Sequence, residues 1–171
     1  FMELRVQAYA GTDLSMNPAN YEPGGLTMLP TRLNRAAATV NGLPLANAVH
    51  HTMEFVRSQA QGGHGTPWAI KVDGGADDRM DPHRISAITH GDLEVWTIKG
   101  GGGWTHPVHI HFEEGMILTR MGKFPPDWER YGKKDMYRIG PENDSGGIIE
   151  IAYRARDFLG DYVMHCHNTM H

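Results

Sequence analysis

Short segments that alternate apolar and polar residues, each closed by a turn signal, restrict this chain to a β-rich fold. Residues 52–58 alternate well enough for a strand, and residues 93–98 alternate cleanly before the glycines of residues 100–103. Further candidate strands are residues 68–72, 85–88, 108–119, 148–153 and 162–167. About seven short strands with little helix predict an antiparallel β-sandwich or barrel.

The first part of the chain has a different composition. Residues 11–48 are rich in Gly, Pro, Asn and Ala and have no sustained apolar period, which indicates a loop-rich segment, with a short helix expected over residues 32–38. We therefore divide the chain into a loop-rich extension or interdomain connection, residues 1–48, and a β domain, residues 49–171. Within that domain, residues 127–134 are expected to form a helical turn or a mobile loop.

Charge and hydropathy exclude several classes of function. The net charge is -4 and there is no basic stripe, so nucleic acid is not expected as a partner. No apolar run is long enough to span a membrane, and the first residues do not form a signal peptide. Since Phe1 is not an initiator and His171 lies inside a motif, we expect the chain to be part of a longer polypeptide.

Histidines concentrate in two short segments. The first segment holds His106, His109 and His111, and the second holds His165, His167 and His171 around Cys166, the only cysteine. Because side chains on a strand alternate between faces, His109 and His111 should lie on one face and His106 on the other. The same alternation puts Cys166 on one face and both His165 and His167 on the opposite face. Each segment can therefore contribute to two sites.

The ligand types indicate copper. One thiolate with two imidazoles is the ligand set of an electron-transfer copper site, and Cys166, His106 and His171 can supply it if the strands are neighbours. The other four histidines would form an all-imidazole surface suited to copper that binds and reduces dioxygen. Cys166 also offers a short covalent path through the backbone to His165 and His167.

These segments, His-Pro-x-His-x-His and His-Cys-His-x-x-x-His, resemble the two carboxy-terminal copper motifs of the multicopper oxidase family. The resemblance covers roughly residues 50–171 and includes Asp-Gly-Gly at residues 73–75 and Gly-Asp-Leu-Glu-Val-Trp at residues 91–96. It implies a cupredoxin-like Greek-key domain that ends within the second motif. It also implies the ligands of three kinds of copper: His106, Cys166 and His171 at type 1, His109 at type 2, and His111, His165 and His167 at the type 3 pair.

What the resemblance implies for activity follows from these ligands. Family members take single electrons from a reducing substrate at type 1 copper and reduce dioxygen to water at a trinuclear cluster. This chain contains no further His-x-His pair, so the other cluster ligands must come from amino-terminal cupredoxin domains of the same polypeptide or of another chain. The resemblance implies a phenolic compound or a low-valent metal ion as substrate and a periplasmic or extracellular location.

Other interpretations predict different metal sites. A cupredoxin that only transfers electrons would need type 1 copper alone and would not need His109, His111, His165 and His167. A copper-storage module would use the methionines, which are scattered, and a structural zinc site would be a compact set of four ligands. The pair Glu113 and Glu114 is similar to that of larger bacterial members of the family, some of which oxidise manganous ion, and it could bind a divalent substrate. Alternatively, one glutamate faces solvent and the other is a hydrogen-bond partner of a ligand histidine.

Overall fold

A computed structural model describes residues 10–12, 32–57, 68–74, 88–101, 103–111, 113–141, 147–155 and 160–168. Their regular secondary structure is almost entirely β-strand, so the prediction of an all-β domain is confirmed. The strands are β1 Leu33–Asn34, β2 Thr39–Val40, β3 Leu43–Pro44, β4 Val49–Arg57, β5 Trp68–Val72, β6 Leu93–Lys99, β7 His106–Ile110, β8 Gly115–Arg120, β9 Lys133–Lys134, β10 Met136–Ile139, β11 Ile148–Arg154 and β12 Met164–Cys166. The helices are a 3-10 helix, Leu45–Asn47, and α1, Asp127–Arg130.

Two sheets enclose the main core. A six-stranded sheet has the order β5-β4-β6-β11-β8-β9, and a three-stranded sheet has the order β10-β7-β12. Every pair of neighbouring strands in these two sheets is antiparallel except β4 and β6, which are parallel. Alternate residues of both sheets meet between them, and the buried members include Ile98, Val108, Ile117, Tyr137 and Ile151. The three-stranded sheet is therefore held from one side by an apolar core, and its other side is free for polar groups.

The prediction of a short helix over residues 32–38 is wrong. Residues 33–34 and 39–40 pair as an antiparallel hairpin, β1 with β2, and β3 extends this small sheet. Two local features favour the hairpin: the Asn34 side chain accepts a hydrogen bond from the Ala37 N–H at 3.1 Å, and Ala38 has a φ of 50°. Val40 packs on the outer face of the six-stranded sheet against Leu93 and Val95.

The strand expected over residues 108–119 is two strands. β7 ends at Ile110 and β8 begins at Gly115, and the two belong to different sheets. The helical turn expected within residues 127–134 is α1. Of the strand expected over residues 85–88, residues 85–87 lie outside the described residues, and Ile88 is not in a strand.

Glycine is required where the chain runs into β7. A Cβ on Gly101 would lie 2.4 Å from the Phe55 carbonyl oxygen, a distance that a side chain cannot occupy. The glycine run thus lets the chain pass close to β4 and bring the Gly101 carbonyl near His106. Among the described residues, no helix is long and apolar enough to span a membrane.

Candidate metal centre

Strand β7 presents the first histidine segment on two faces. His106, Val108 and Ile110 point into the core, and His106 is only 1% exposed. His109 points to the opposite side, where it is partly exposed. The two kinds of histidine are therefore separated by the thickness of one strand, as period-two alternation requires.

Strand β12 brings the second segment into register with the first. Its antiparallel pairing with β7 sets His165 opposite His109 and Cys166 opposite Val108. Directly opposed residues of an antiparallel pair share a face, so Cys166 turns towards the core side with His106. The pairing continues past the strand end, where the His167 N–H donates to the Pro107 carbonyl at 2.8 Å.

The inner face holds a cysteine and histidine pair. Cys166 Sγ lies 3.7 Å from His106 Nδ1, and the other ring nitrogen of His106, Nε2, is 3.1 Å from the Gly101 carbonyl oxygen. A carbonyl oxygen only accepts, so Nε2 carries the proton and Nδ1 presents its lone pair towards the sulfur. This is the tautomer in which His106 can share a metal ion with Cys166.

The surroundings of Cys166 prepare its sulfur for a cation. The sulfur accepts a hydrogen bond from the Asn168 N–H at 3.4 Å, and the Asn168 side chain in turn donates to the Thr105 carbonyl at 3.3 Å. Burial raises the pKa of the Cys166 thiol, and the Asn168 N–H lowers it in part. A half-buried thiol of this kind becomes a thiolate most readily when a metal ion binds it.

The outer face carries an imidazole cluster formed by His109, His111, His165 and His167, called here the outer imidazole cluster. Ring centroids are 4.4 Å apart for His109 and His111 and 4.5 Å apart for His165 and His167. Across the two strands, His111 Nε2 lies 3.1 Å from His165 Nε2. Ring nitrogens this close can share one metal ion.

Backbone carbonyls fix the tautomers of the outer cluster. His109 Nδ1 is 3.1 Å from the Asp135 carbonyl oxygen, and His165 Nδ1 is 3.3 Å from the Cys166 carbonyl oxygen. Both Nδ1 atoms are therefore donors, which leaves Nε2 of each ring as the ligand atom. Loss of hydration and the neighbouring imidazoles lower the pKa of His111, which favours its neutral, metal-binding form.

The donor sets fit transition-metal ions. Candidate ligand atoms of His109, His111 and His165 all lie within 4.8 Å of one another. Two imidazoles bound to one metal at about 2 Å each have nitrogens on the order of 3 Å apart, close to the observed separation of His111 and His165. The inner pair adds a soft thiolate, and a thiolate with imidazole suits copper.

Other histidines, and the acidic pair Glu113 and Glu114, lie away from the two donor sets or outside the described residues. His51 lies between two carboxylates, with Nδ1 at 2.8 Å from Asp73 Oδ2 and Nε2 at 3.6 Å from Glu94 Oε2, which is not a multidentate imidazole site. Glu113 is buried and accepts a hydrogen bond from the Glu114 N–H at 3.2 Å, whereas Glu114 is exposed. His171 lies outside the described residues, as do His64, His83 and Met170.

The groups that orient the ligands were not predicted from the sequence. The carbonyls of Gly101 and Asp135 and the N–H of Asn168 are backbone atoms, so no residue type marks them in advance. The Gly-rich run before His106 is a sequence signal that could have indicated a close backbone approach there.

Comparisons with known proteins identify the family of this chain. The family model described as multicopper oxidase matches residues 50–171. Bilirubin oxidase from Albifimbria verrucaria is 30% identical over 115 residues, covering 64% of this chain and 19% of that protein. A multicopper oxidase from Staphylococcus haemolyticus is 33% identical over 113 residues, covering 60% of this chain and 24% of that protein.

The solved structures include a multi-copper oxidase from Pediococcus acidilactici with a TM-score of 0.50 and 20% identity, which covers 71% of this chain and 23% of that one. That likeness concerns the fold alone. The chain spans about a fifth to a quarter of the length of these curated relatives.

Proposed function

This chain belongs to the multicopper oxidase family, and we propose that it carries type 1 copper and about half of a trinuclear copper cluster in an enzyme that reduces dioxygen to water. One-electron oxidation of a reducing substrate supplies the electrons. We further propose that residues 49–171 are the carboxy-terminal cupredoxin domain and that residues 1–48 are an extension or interdomain connection.

One observation carries this proposal: the β7–β12 pairing puts a thiol with an imidazole on one face and four imidazoles on the other. An electron carrier needs the inner face alone, and a zinc site would gather its ligands on one side. Two donor sets separated by a single pair of strands suit electron transfer from one metal site to another.

The ligand roles follow the family resemblance. His106, Cys166 and His171 would hold type 1 copper, His109 would hold type 2 copper, and His111, His165 and His167 would hold the type 3 pair. Bound copper supplies one-electron redox chemistry at the inner site and dioxygen reduction at the outer cluster. His171 is assigned to type 1 copper from the sequence motif alone, because it lies outside the described residues.

The chain's own groups prepare both sites before metal arrives. The carbonyls of Gly101 and Asp135 keep His106 and His109 in their ligand tautomers. The Asn168 N–H donates to the Cys166 sulfur and so favours the thiolate. Cys166 is bonded through the backbone to both His165 and His167, which gives electrons a short covalent path between the faces.

The outer imidazole cluster is open to solvent on the side away from β7, since His111 and His167 are exposed. We propose that amino-terminal cupredoxin domains, of the same polypeptide or a partner chain, supply the remaining cluster ligands at this surface. A phenolic compound or a low-valent metal ion is the proposed substrate, and a periplasmic or extracellular site is the proposed location.

Electron paramagnetic resonance of the oxidised, copper-loaded full-length protein tests the proposal. We expect a type 1 and a type 2 signal together. His109→Ala should remove the type 2 signal and keep type 1, whereas His50→Ala, at an exposed histidine outside both donor sets, should change neither. A type 1 signal alone would make the protein an electron carrier, and the absence of any cupric signal would refute copper function.

A further inference from the structure

We infer that Asp135 is a positioning residue for the outer imidazole cluster: its main-chain carbonyl, held by Tyr137, sets the orientation of the His109 ring. This inference rests on the proposed function, because it concerns how the chain prepares the ligand of type 2 copper.

Asp135 lies at the point where the chain passes from one sheet to the other. Residues 133–134 form β9, which pairs with β8 in the six-stranded sheet. Residues 136–139 form β10, which pairs with β7 in the three-stranded sheet. A residue at such a corner is outside both ladders, so its carbonyl is available for another partner.

The Asp135 carbonyl accepts from two donors. One is the Ile110 N–H at 2.9 Å, and the other is His109 Nδ1 at 3.1 Å. A carbonyl oxygen has lone pairs for both. The first bond fixes the carbonyl relative to β7, and the second fixes the imidazole relative to the carbonyl. The Asp135 carboxylate is 3.9 Å from the same nitrogen and 58% exposed, so solvent weakens its influence.

A buried tyrosine holds this corner from the core side. The Tyr137 hydroxyl donates to the Lys134 carbonyl and accepts from the Gly115 N–H at 3.1 Å. Tyr137 is 1% exposed, so both bonds are shielded from water. The residue before Asp135 is thereby tied to the start of β8. A Cβ on Gly115 would lie 2.6 Å from the Tyr137 oxygen, so a methyl group at this position would displace the hydroxyl.

Charged side chains hold the corner from the surface side. Lys134 Nζ and the Arg120 guanidinium both contact the carboxylate of Glu129, at 2.5 Å and 2.6 Å. Glu129 is itself buried, so its carboxylate needs these partners. Lys134 is thus fixed through its backbone by Tyr137 and through its side chain by Glu129, which leaves Asp135 little freedom to turn away from His109.

The test compares two tyrosine variants of the copper-loaded full-length protein. Tyr137→Phe removes a hydroxyl with two hydrogen bonds, and Tyr153→Phe removes one that has no partner in the described part of the chain. Both side chains belong to the same core. Loss of a group that hydrogen-bonds to a metal ligand lowers metal affinity by about 10- to 100-fold. Because Tyr137 acts one step further from the metal, we expect type 2 copper to be retained about 3- to 10-fold more weakly.

Two readouts separate positioning from a general loss of structure. In Tyr137→Phe, the type 2 resonance signal and the amount of copper retained in the presence of a chelator should both decrease. Type 1 absorption should remain the same in the parent, in Tyr137→Phe and in Tyr153→Phe. In metal-free protein, imidazole nitrogen NMR should show His109 losing its preference for the Nδ1–H tautomer. Gly115→Ala, which displaces the same hydroxyl, provides a second variant if Tyr137→Phe does not fold.

Equal type 2 retention in the two tyrosine variants would overturn the inference, and so would equal loss of type 1 and type 2 copper. A parent protein without any type 2 signal would instead refute the proposed function, and the inference with it.

Discussion

The two faces of the β7–β12 ladder carry donor sets of opposite character. On the inner face, His106 is buried and Cys166 half-buried, and both are surrounded by the apolar core and oriented by nearby backbone groups. On the outer face, the imidazoles are partly or fully exposed and contact one another. The inner pair is shaped by this chain's own packing, whereas the outer cluster is a surface that other groups must complete.

Removal of the inner sulfur should have the largest effect, and it should affect only the inner face. Cys166→Ser should abolish type 1 absorption and oxidase activity, because a hydroxyl is not a soft ligand for copper. The outer imidazole cluster keeps all its nitrogens, so the type 2 signal should remain. Joint loss of both signals in absorption and resonance spectra would mean that the faces are not independent.

Damage to the shared core should affect both faces together. Ile139 is fully buried on β10, where it pairs directly with His106 of β7. Ile139→Ala should lower the free energy of unfolding by about 2–4 kcal/mol, through lost burial and a residual cavity. Urea denaturation of parent and variant measures this, with exposed Arg138→Ala as the neighbouring control. A change below about 1 kcal/mol would contradict the core assignment.

The difference in burial predicts an order of metal release. A metal ion held by exposed imidazoles exchanges them for water more readily than one held by a buried thiolate and imidazole. On titration with a chelator, type 2 resonance should decay at about 10-fold lower chelator concentration than type 1 absorption, the range expected for sites with unequal outer support. Simultaneous decay of the two signals would remove the proposed contrast.

The smallest effect concerns the charged side of the Asp135 corner. Hydrogen bonds from Arg120 and Lys134 hold the pKa of Glu129 at about 2, below its usual 4.5. A lowered pKa stabilises the fold above pH 4.5, and this stability is lost as the pH falls towards 2. After allowance for solvent screening, we expect the ionised Glu129 to contribute about 1–2 kcal/mol to the free energy of unfolding at neutral pH.

Urea denaturation of metal-free parent and Glu129→Gln measures this contribution. The difference in free energy of unfolding should be full at pH 7 and shrink steadily below pH 4.5. A difference that is constant with pH would show that ionisation of Glu129 does not stabilise the fold.

Strand alternation made the division of the histidines predictable. The period of two is a local property, so the sequence alone separates His106 from His109 and Cys166 from His165. The pairing that brings β12 beside β7 joins residues more than fifty positions apart, and it could be expected only from the requirement that both segments share a metal.

The remaining features depend on tertiary contacts. The switch of residues 133–139 between sheets gives no local signal, because Lys133–Lys134 and Met136–Ile139 are too short to show a period. The same holds for Asp135, which acts through a backbone atom. At residues 32–38, the propensity for helix was overridden by Asn34 and by pairing with β2.

Anomalous diffraction at the copper edge, on crystals of the copper-loaded full-length protein, tests the separation of the faces most directly. We expect one peak between Cys166 Sγ and His106 Nδ1, and separate density beside the Nε2 atoms of the outer imidazole cluster. A single peak, or copper on only one side of the β7–β12 ladder, would contradict it.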